Sequence, residues 1–256
     1  QTSTLVSADK ILYALRDVTA TVESIPLIAS SIMSKKLAEG SNALLLDVKC
    51  GDAAFMKDRA QAQGLAEAMV GIGLRAGVRT EAMLTDMDAP LGRAVGNALE
   101  IAECLDTLKG RGPADLTVVV ARFAARMIML AGLESDANAA LERVREAIAS
   151  GRALEVFRYL TERQGGDPRV VDDYTVMEVA PDREFVTAPE SGVLVQVLAG
   201  AIGRPSHELG PGRSKVGDPV DHAVGVRMLA SRGERVAQRR VAVHRQVLHR
   251  LAGRGD

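Results

Sequence analysis

The sequence predicts an α/β protein: a small helical piece at about residues 7–38, a larger α/β part with a mixed sheet, and a β-rich region from about residue 174. Three observations carry this. Apolar residues recur at helical spacing before residue 40. Two apolar runs, 43–49 and 78–84, flank a helical segment, the pattern of a parallel strand pair with a crossover. From Tyr174 onward short β-type runs are broken by Pro and Gly. A chain of 256 residues can bury a substantial core, in one large or two small domains.

Ser7-Ala-Asp-Lys opens the first helix, with Ser7 as its expected N-cap, through Ile11, Leu12 and Leu15. The β-branched run Asp17-Val-Thr-Ala-Thr-Val interrupts it. A second helix is expected from Ser24, with Pro26 in its first turn and Gly40 at its end. Its buried stripe reads Ile25, Ile28, Ala29 and Ile32, and Ser31 and Lys35 lie along one edge. Ala43 to Lys49 reads as a strand buried on both faces. A Gly51 turn, a helix over 58–76 and a strand over 78–84 follow. Further helices are expected over 91–109, 114–131, 136–149 and 153–163. The β runs are expected at 176–179, 185–188 and 192–198.

Composition excludes several classes. The charge is balanced at −1 net, with 25% charged and 47% hydrophobic residues, so disorder and nucleic-acid binding have no electrostatic basis. Aromatic residues make up 3% and Trp is absent, which leaves no base-stacking platform. The apolar stretch 116–133 carries Arg122 and Arg126, which the centre of a bilayer would penalise. Cys50 and Cys104 stand far apart, so a reducing, cytoplasmic compartment is expected. No Walker loop, dinucleotide fingerprint, zincin motif or nucleophile elbow occurs. The four histidines, His207, His222, His244 and His249, have no metal-ligand spacing and read as surface or locally bonded residues. The turns at 217–219 and 233–236 are similar to those of biotinyl and lipoyl carriers, but Lys215 is not at a hairpin tip, so no carrier is expected.

Seven of the 32 basic residues are lysines, and five of those (Lys10, Lys35, Lys36, Lys49, Lys57) fall before residue 58. Tyr13, Arg16, Ser31 and Lys35 form the candidate cluster. If the two helices pack antiparallel, two cations and a hydroxyl converge beside the apolar stripe, a donor-rich volume suited to a planar carbonyl ligand or an anion. The same residues also fit a bland alternative: an exposed lysine, and an arginine paired with Asp17 or Glu23.

The segment Ala8–Lys36, with its core Leu15-Arg-Asp-Val-Thr-Ala-Thr-Val and Ser24-Ile-Pro-Leu-Ile, resembles the thymidine/pyrimidine-nucleoside phosphorylase family. The likeness continues through Leu46–Lys57, Leu84–Glu100 and Leu108-Lys-Gly-Arg-Gly-Pro, and more loosely through 210–213 and 218–225, so it covers essentially the whole chain. It implies phosphorolysis: pyrimidine nucleoside plus phosphate gives free base and ribose- or deoxyribose-1-phosphate, with no organic cofactor. It implies Arg16 and Lys35 as catalytic residues, and Tyr13, Arg16, Ser31 and Lys35 as the base site. It implies a structural potassium- or calcium-like cation held by the Leu91 and Ala94 carbonyls and Glu103, against the alternative of Glu103 as a helix-surface carboxylate. It also implies a homodimer for full-length members, doubtful for this chain, and three parts: 1–40 (end of the helical domain), 41–173 (α/β domain) and 174–250 (C-terminal domain).

The family's Lys-x-Ser-x-Gly-Gly phosphate loop does not occur here, so the expectation is a C-terminal portion carrying the base-binding half of the site. A further departure is Gly51-Asp-Ala-Ala, where Ala53 replaces a glycine and Asp52 adds charge. Two rivals are a non-catalytic truncated homologue, acting as a folded fragment or interaction partner, and an AMP-type nucleotide phosphorylase.

Overall fold

The computed structural model describes residues 6–178, 180, 182–208, 220–237 and 241–247. Within it the chain forms two compact units: Gln1–Asp88 with Arg122–Glu142, and Ala89–Ala121 with Arg143–Asp256. The segments 210–213 and 217–219, Lys215, Val179 and His249 lie outside the described residues.

The first unit begins with helices α1 (Ser7–Val18) and α2 (Ile25–Ala38). Ser7 is the first helical residue rather than the cap; Val6 holds the cap position with a left-handed backbone. As expected, α1 stops within the β-branched run, where Thr19 Oγ1 donates to the Leu15 carbonyl at 2.8 Å. Ser24 occupies the cap position of α2, Pro26 its first turn, and Gly40 follows its end at φ +72°.

Ile28, Ala29 and Met33 of α2 pack into one core with Leu44, Leu46 and Val48 of β1 (Ala43–Cys50) and Leu65, Ala66 and Met69 of α3 (Arg59–Arg75). Ile25 and Ile32, expected in the stripe, pack partly buried against it. The β1 strand pairs in parallel with β2 (Arg79–Asp86), from Ala43↔Arg79 to Cys50↔Asp86, as the strand–helix–strand pattern required. It is buried on one face only. Asp47 and Lys49 point the other way, where Lys49 Nζ donates to Asp47 at 2.6 Å and to Thr85 Oγ1 at 3.0 Å. A single ionised pair in an otherwise apolar run therefore makes the second face polar, correcting the two-sided expectation.

The loops after β1 and β2 are stitched together. Met87 N–H donates to the Cys50 carbonyl at 2.7 Å and Asp52 N–H to Asp88 Oδ1 at 2.8 Å. Gly51 lies beneath them at φ +128°, where a Cβ would sit 2.5 Å from Asp88 Oδ1. Ala53 is not at positive φ, which is why that position accepts a side chain.

Helices α4 (Asn97–Leu108), α5 (Ala114–Leu130), α6 (Ala137–Ala149) and α7 (Arg152–Arg163) follow along the chain. The expected helix over 91–109 starts late because Gly92 (φ +73°) and Gly96 (φ +137°) break its beginning, leaving the short strand β3 (Ala94–Val95). In the second unit, Leu105 packs with Val170 and Val171 of a 3-10 turn (Pro168–Val171), against Leu154 and Phe157 of α7.

A second 3-10 turn, Tyr174–Val176, opens the segment expected as strand 176–179. It is capped by Asp173, which accepts from the Thr175 N–H at 2.9 Å; this local bond wins over extension. Strands β4 (Asp182–Thr187), β5 (Gly192–Val193), β6 (Gly225–Met228), β7 (Arg235–Val236) and β8 (Val241–Val247) complete the unit with helix α8 (Ala199–Glu208). Among the described residues β3-β6-β8-β4 form one antiparallel sheet and β5-β7 another, so parallel and antiparallel pairing occupy separate sheets. The strand expected over 192–198 is only two residues long, and α8 was not anticipated.

Gly51→Ala should destabilise the first unit by about 1–3 kcal/mol, because the methyl meets Asp88 and the backbone is left-handed. Urea unfolding followed by circular dichroism measures this; an unchanged midpoint would contradict the close approach.

Candidate functional site

The helical spacing of α1 places Asp9, Tyr13 and Arg16 at i, i+4 and i+7, on one face. The face is amphipathic in an unusual sense. Asp9 and Arg16 are both buried, each 7% exposed, whereas Ile11, Leu12 and Leu15 are exposed. Burial of two ionisable groups demands partners; α2 provides those of Asp9, and the turn after α1 with Tyr13 those of Arg16.

Lys35 Nζ donates to Asp9 Oδ2 at 2.6 Å and to Ser31 Oγ at 2.9 Å. Ser31 is itself buried, and one turn of α2 separates it from Lys35. Lys35 is thus neither free nor fully solvated, which removes the bland alternative for it. Burial alone would raise the Asp9 pKa, but hydrogen bonds from Lys35 and Ser31, with the charges of Lys35 and Arg16, outweigh it and hold the carboxyl below its ordinary value.

Arg16 does not pair with Glu23, and the side chain of Asp17, the other partner expected, lies outside what the structure describes. Its guanidinium donates through Nη2 to the Val22 carbonyl in the turn after α1 and stacks over the Tyr13 ring, 5.2 Å from its centroid. The turn is held by Ala20, which adopts a left-handed backbone at φ +54°, and by the Thr21 N–H on the Arg16 carbonyl at 3.1 Å. Arg16 Nε is buried and has no hydrogen-bond partner, the one such side-chain atom found among the described residues. A buried N–H donor without an acceptor is rare in folded proteins and calls for an explanation.

The structure therefore brings together all four sequence candidates in two contacting pairs, Ser31 with Lys35 and Arg16 with Tyr13. Asp9 joins them, and the sequence reading had missed it. Its signal was present in the i, i+4, i+7 spacing with Tyr13 and Arg16, but attention to donors passed over the single acceptor.

The second candidate, the 91–94 segment, is separate. The Glu103 carboxylate of α4 accepts from the Arg93 N–H at 3.0 Å and the Ala94 N–H at 3.3 Å, and a Cβ on Gly92 would overlap it. Asp115 accepts from the Gly92 N–H at 3.0 Å. Glu103 is half-buried and braces the segment rather than lying free on the helix surface. No group of three or more His, Cys, Asp or Glu suited to a metal occurs among the described residues. Of the histidines, His222 is exposed and its carbonyl accepts from the Ala98 N–H at 3.1 Å. Cys50 and Cys104 are free thiols, and no helix among the described residues is long and apolar enough to cross a membrane.

Comparison with known proteins accords with this geometry. The family described as "Glycosyl transferase family, a/b domain" matches residues 1–154, and "Pyrimidine nucleoside phosphorylase C-terminal domain" matches residues 193–243. The pyrimidine-nucleoside phosphorylase of Staphylococcus haemolyticus is 49% identical over 226 residues, 88% of this chain and 52% of that protein. That of Bacillus subtilis is 47% identical over 236 residues, 92% of this chain and 54% of the relative. One from Staphylococcus aureus is 47% identical over 238 residues, 93% and 55% respectively. The chain spans about half the length of the curated relatives it matches.

The lowered pKa of Asp9 has a sign that can be tested. Its contribution to stability is fully present above its ordinary value of 3.8 and is lost as pH falls below it, through the folded-state value. Urea unfolding of the wild type should therefore weaken below that pH, and Asp9→Asn should lack this part of the slope.

Proposed function

Because the chain belongs to the glycosyl transferase a/b-domain family, we propose that it takes part in phosphorolysis of pyrimidine nucleosides and deoxynucleosides and supplies the base-binding half of the site. One observation carries the reading: two cations are fixed in a buried corner, and one of them, Arg16, holds an N–H with no acceptor. A pyrimidine ring presents carbonyl oxygens that accept hydrogen bonds from such donors. As the bond between the sugar C1′ and the base nitrogen breaks and a phosphate oxygen bonds to C1′, the electron pair leaves with the base and negative charge develops on it. Arg16 and Lys35 bind that anion better than the neutral ring, and only this difference lowers the barrier. Ser31 adds a hydroxyl and Tyr13 an aromatic wall for Arg16.

Phosphate is the co-substrate in this reading, and no organic cofactor is required. The names of the relatives support a nucleoside substrate and an enzyme, against the non-catalytic and AMP-type alternatives. The division into 1–40, 41–173 and 174–250 is proposed with it, supported at its end by the family match over 193–243.

Two finer proposals accompany it. The carbonyls of Leu91 and Ala94 with Glu103 would hold a potassium- or calcium-like cation; their all-oxygen donor set supports this, while the Glu103 carboxylate itself accepts from the Arg93 and Ala94 N–H groups. Such an ion would neutralise Glu103 and stiffen the segment. A homodimer through the helical piece is supported by the exposure of Ile11 (67%), Leu12 (60%) and Leu15 (50%) on α1. The free thiols support a reducing, cytoplasmic setting.

In a polypeptide of the relatives' full length, thymidine and uridine should be consumed with phosphate and AMP should not. Arg16→Ala and Lys35→Ala should each lower kcat by roughly ten- to a hundredfold, the worth of one charge-assisted hydrogen bond, with a much smaller effect on unfolding. Unchanged turnover in both variants would refute these roles.

A further inference from the structure

We infer that Asp9 is a positioning residue for Lys35: its carboxylate holds the ammonium against Ser31 and aims the remaining N–H at the base. The inference rests on the reading of this corner as the base site.

A lysine ammonium is a hydrated point charge on a flexible stem, and left to itself it extends into water. Lys35 does not: its side chain is 22% exposed, and two of its three donors are spent, on Asp9 Oδ2 at 2.6 Å and on Ser31 Oγ at 2.9 Å. Two fixed acceptors leave one N–H whose direction is set by the other two. The Asp9 side chain, only 8% exposed, faces no solvent that would compete for that bond.

Charge balance points the same way. Arg16 and Lys35 both act on Asp9, so the corner carries two positive charges and one negative. Two unbalanced cations at this burial would repel and push Lys35 outward. With Asp9 ionised the net charge is one positive unit, matched to a monoanionic leaving base. A base accepting from the third N–H would be nearer the ammonium than the carboxylate, because Asp9 already occupies another N–H of the same group. Asp9 keeps its charge to a lower pH than an ordinary carboxyl, because the hydrogen bonds of Lys35 and Ser31 and the charges of Lys35 and Arg16 together exceed its burial cost.

A double-mutant cycle tests this with thymine as the probe, binding measured by calorimetry on the full chain, well below the unfolding temperature of each variant. Lys35→Met should weaken thymine by about ten- to a hundredfold, and Asp9→Asn by about tenfold. The double variant should bind no worse than Lys35→Met alone. An Asp9→Asn loss of the same size in both backgrounds, or no loss at all, overturns the inference, since a merely structural role would persist without Lys35. If Lys35→Met binds thymine like the wild type, the base-site reading fails instead.

A ligand-free measurement then still decides the role of Asp9. The Lys35 ammonium should give a slowly exchanging 15N signal in the wild type that Asp9→Asn abolishes; an unchanged signal overturns the inference. Should Asp9→Asn not fold, Asp9→Glu replaces it in both measurements. It keeps the charge but displaces it by one methylene, and it should show a smaller loss that again vanishes in Lys35→Met.

Discussion

A single buried carboxylate opposite one buried and one half-buried cation sets the geometry of the whole helical corner. Removing water from Arg16, Lys35 and Asp9 is costly for each separately and tolerable only when they face one another. That requirement fixes the packing of α1 on α2 at one register, with Asp9 on Lys35. It also explains the turn between the helices. Thr19 to Val22 must bring a carbonyl back onto Arg16, and Ala20 takes a left-handed conformation, about 1–2 kcal/mol uphill for a non-glycine residue, to do so. A glycine would relax that strain but would also loosen the turn that holds the guanidinium.

The α2 helix carries this corner because its opposite side is anchored. Ile28, Ala29 and Met33 are locked into the core with β1 and α3, Met33 with no exposed surface. Ser31 and Lys35 are therefore presented by a rigid element rather than a loop, and a misplacement of the site would have to disturb the core. The α1 helix is different: its apolar residues Ile11, Leu12 and Leu15 face outward, and Asp9 and Arg16 face in. Its position depends on the ionic corner rather than on burial of hydrocarbon.

Sequence periodicity made most of the first unit legible, because α2, β1, α3 and β2 follow ordinary rules of apolar spacing, and so did the donors of the site. What escaped were features decided by single bonds. Gly92 and Gly96 broke a helix whose apolar pattern ran on through them. Asp173 turned an apparent strand into a 3-10 turn. Asp47 and Lys49 opened one face of a strand that otherwise read as wholly buried. Asp9 was overlooked because its role depends on Lys35, 26 residues away, and no local pattern announces a partner at that distance.

The unsatisfied N–H of Arg16 gives the corner its chemical direction. In the folded chain a buried donor lacking an acceptor is destabilising by about 1–3 kcal/mol. Under the proposed function that energy is recovered when a carbonyl oxygen of the base arrives, and recovered more fully when the oxygen carries charge. Val22, Tyr13 and Asp9 already hold the donors, so the proposed reaction needs no rearrangement of them. Fixed dipoles and charges of this kind stabilise a developing anion better than water, which must reorient to do the same. The unpaired N–H and, in the proposed reaction, the selectivity for a departing anion are thus one property of the fold.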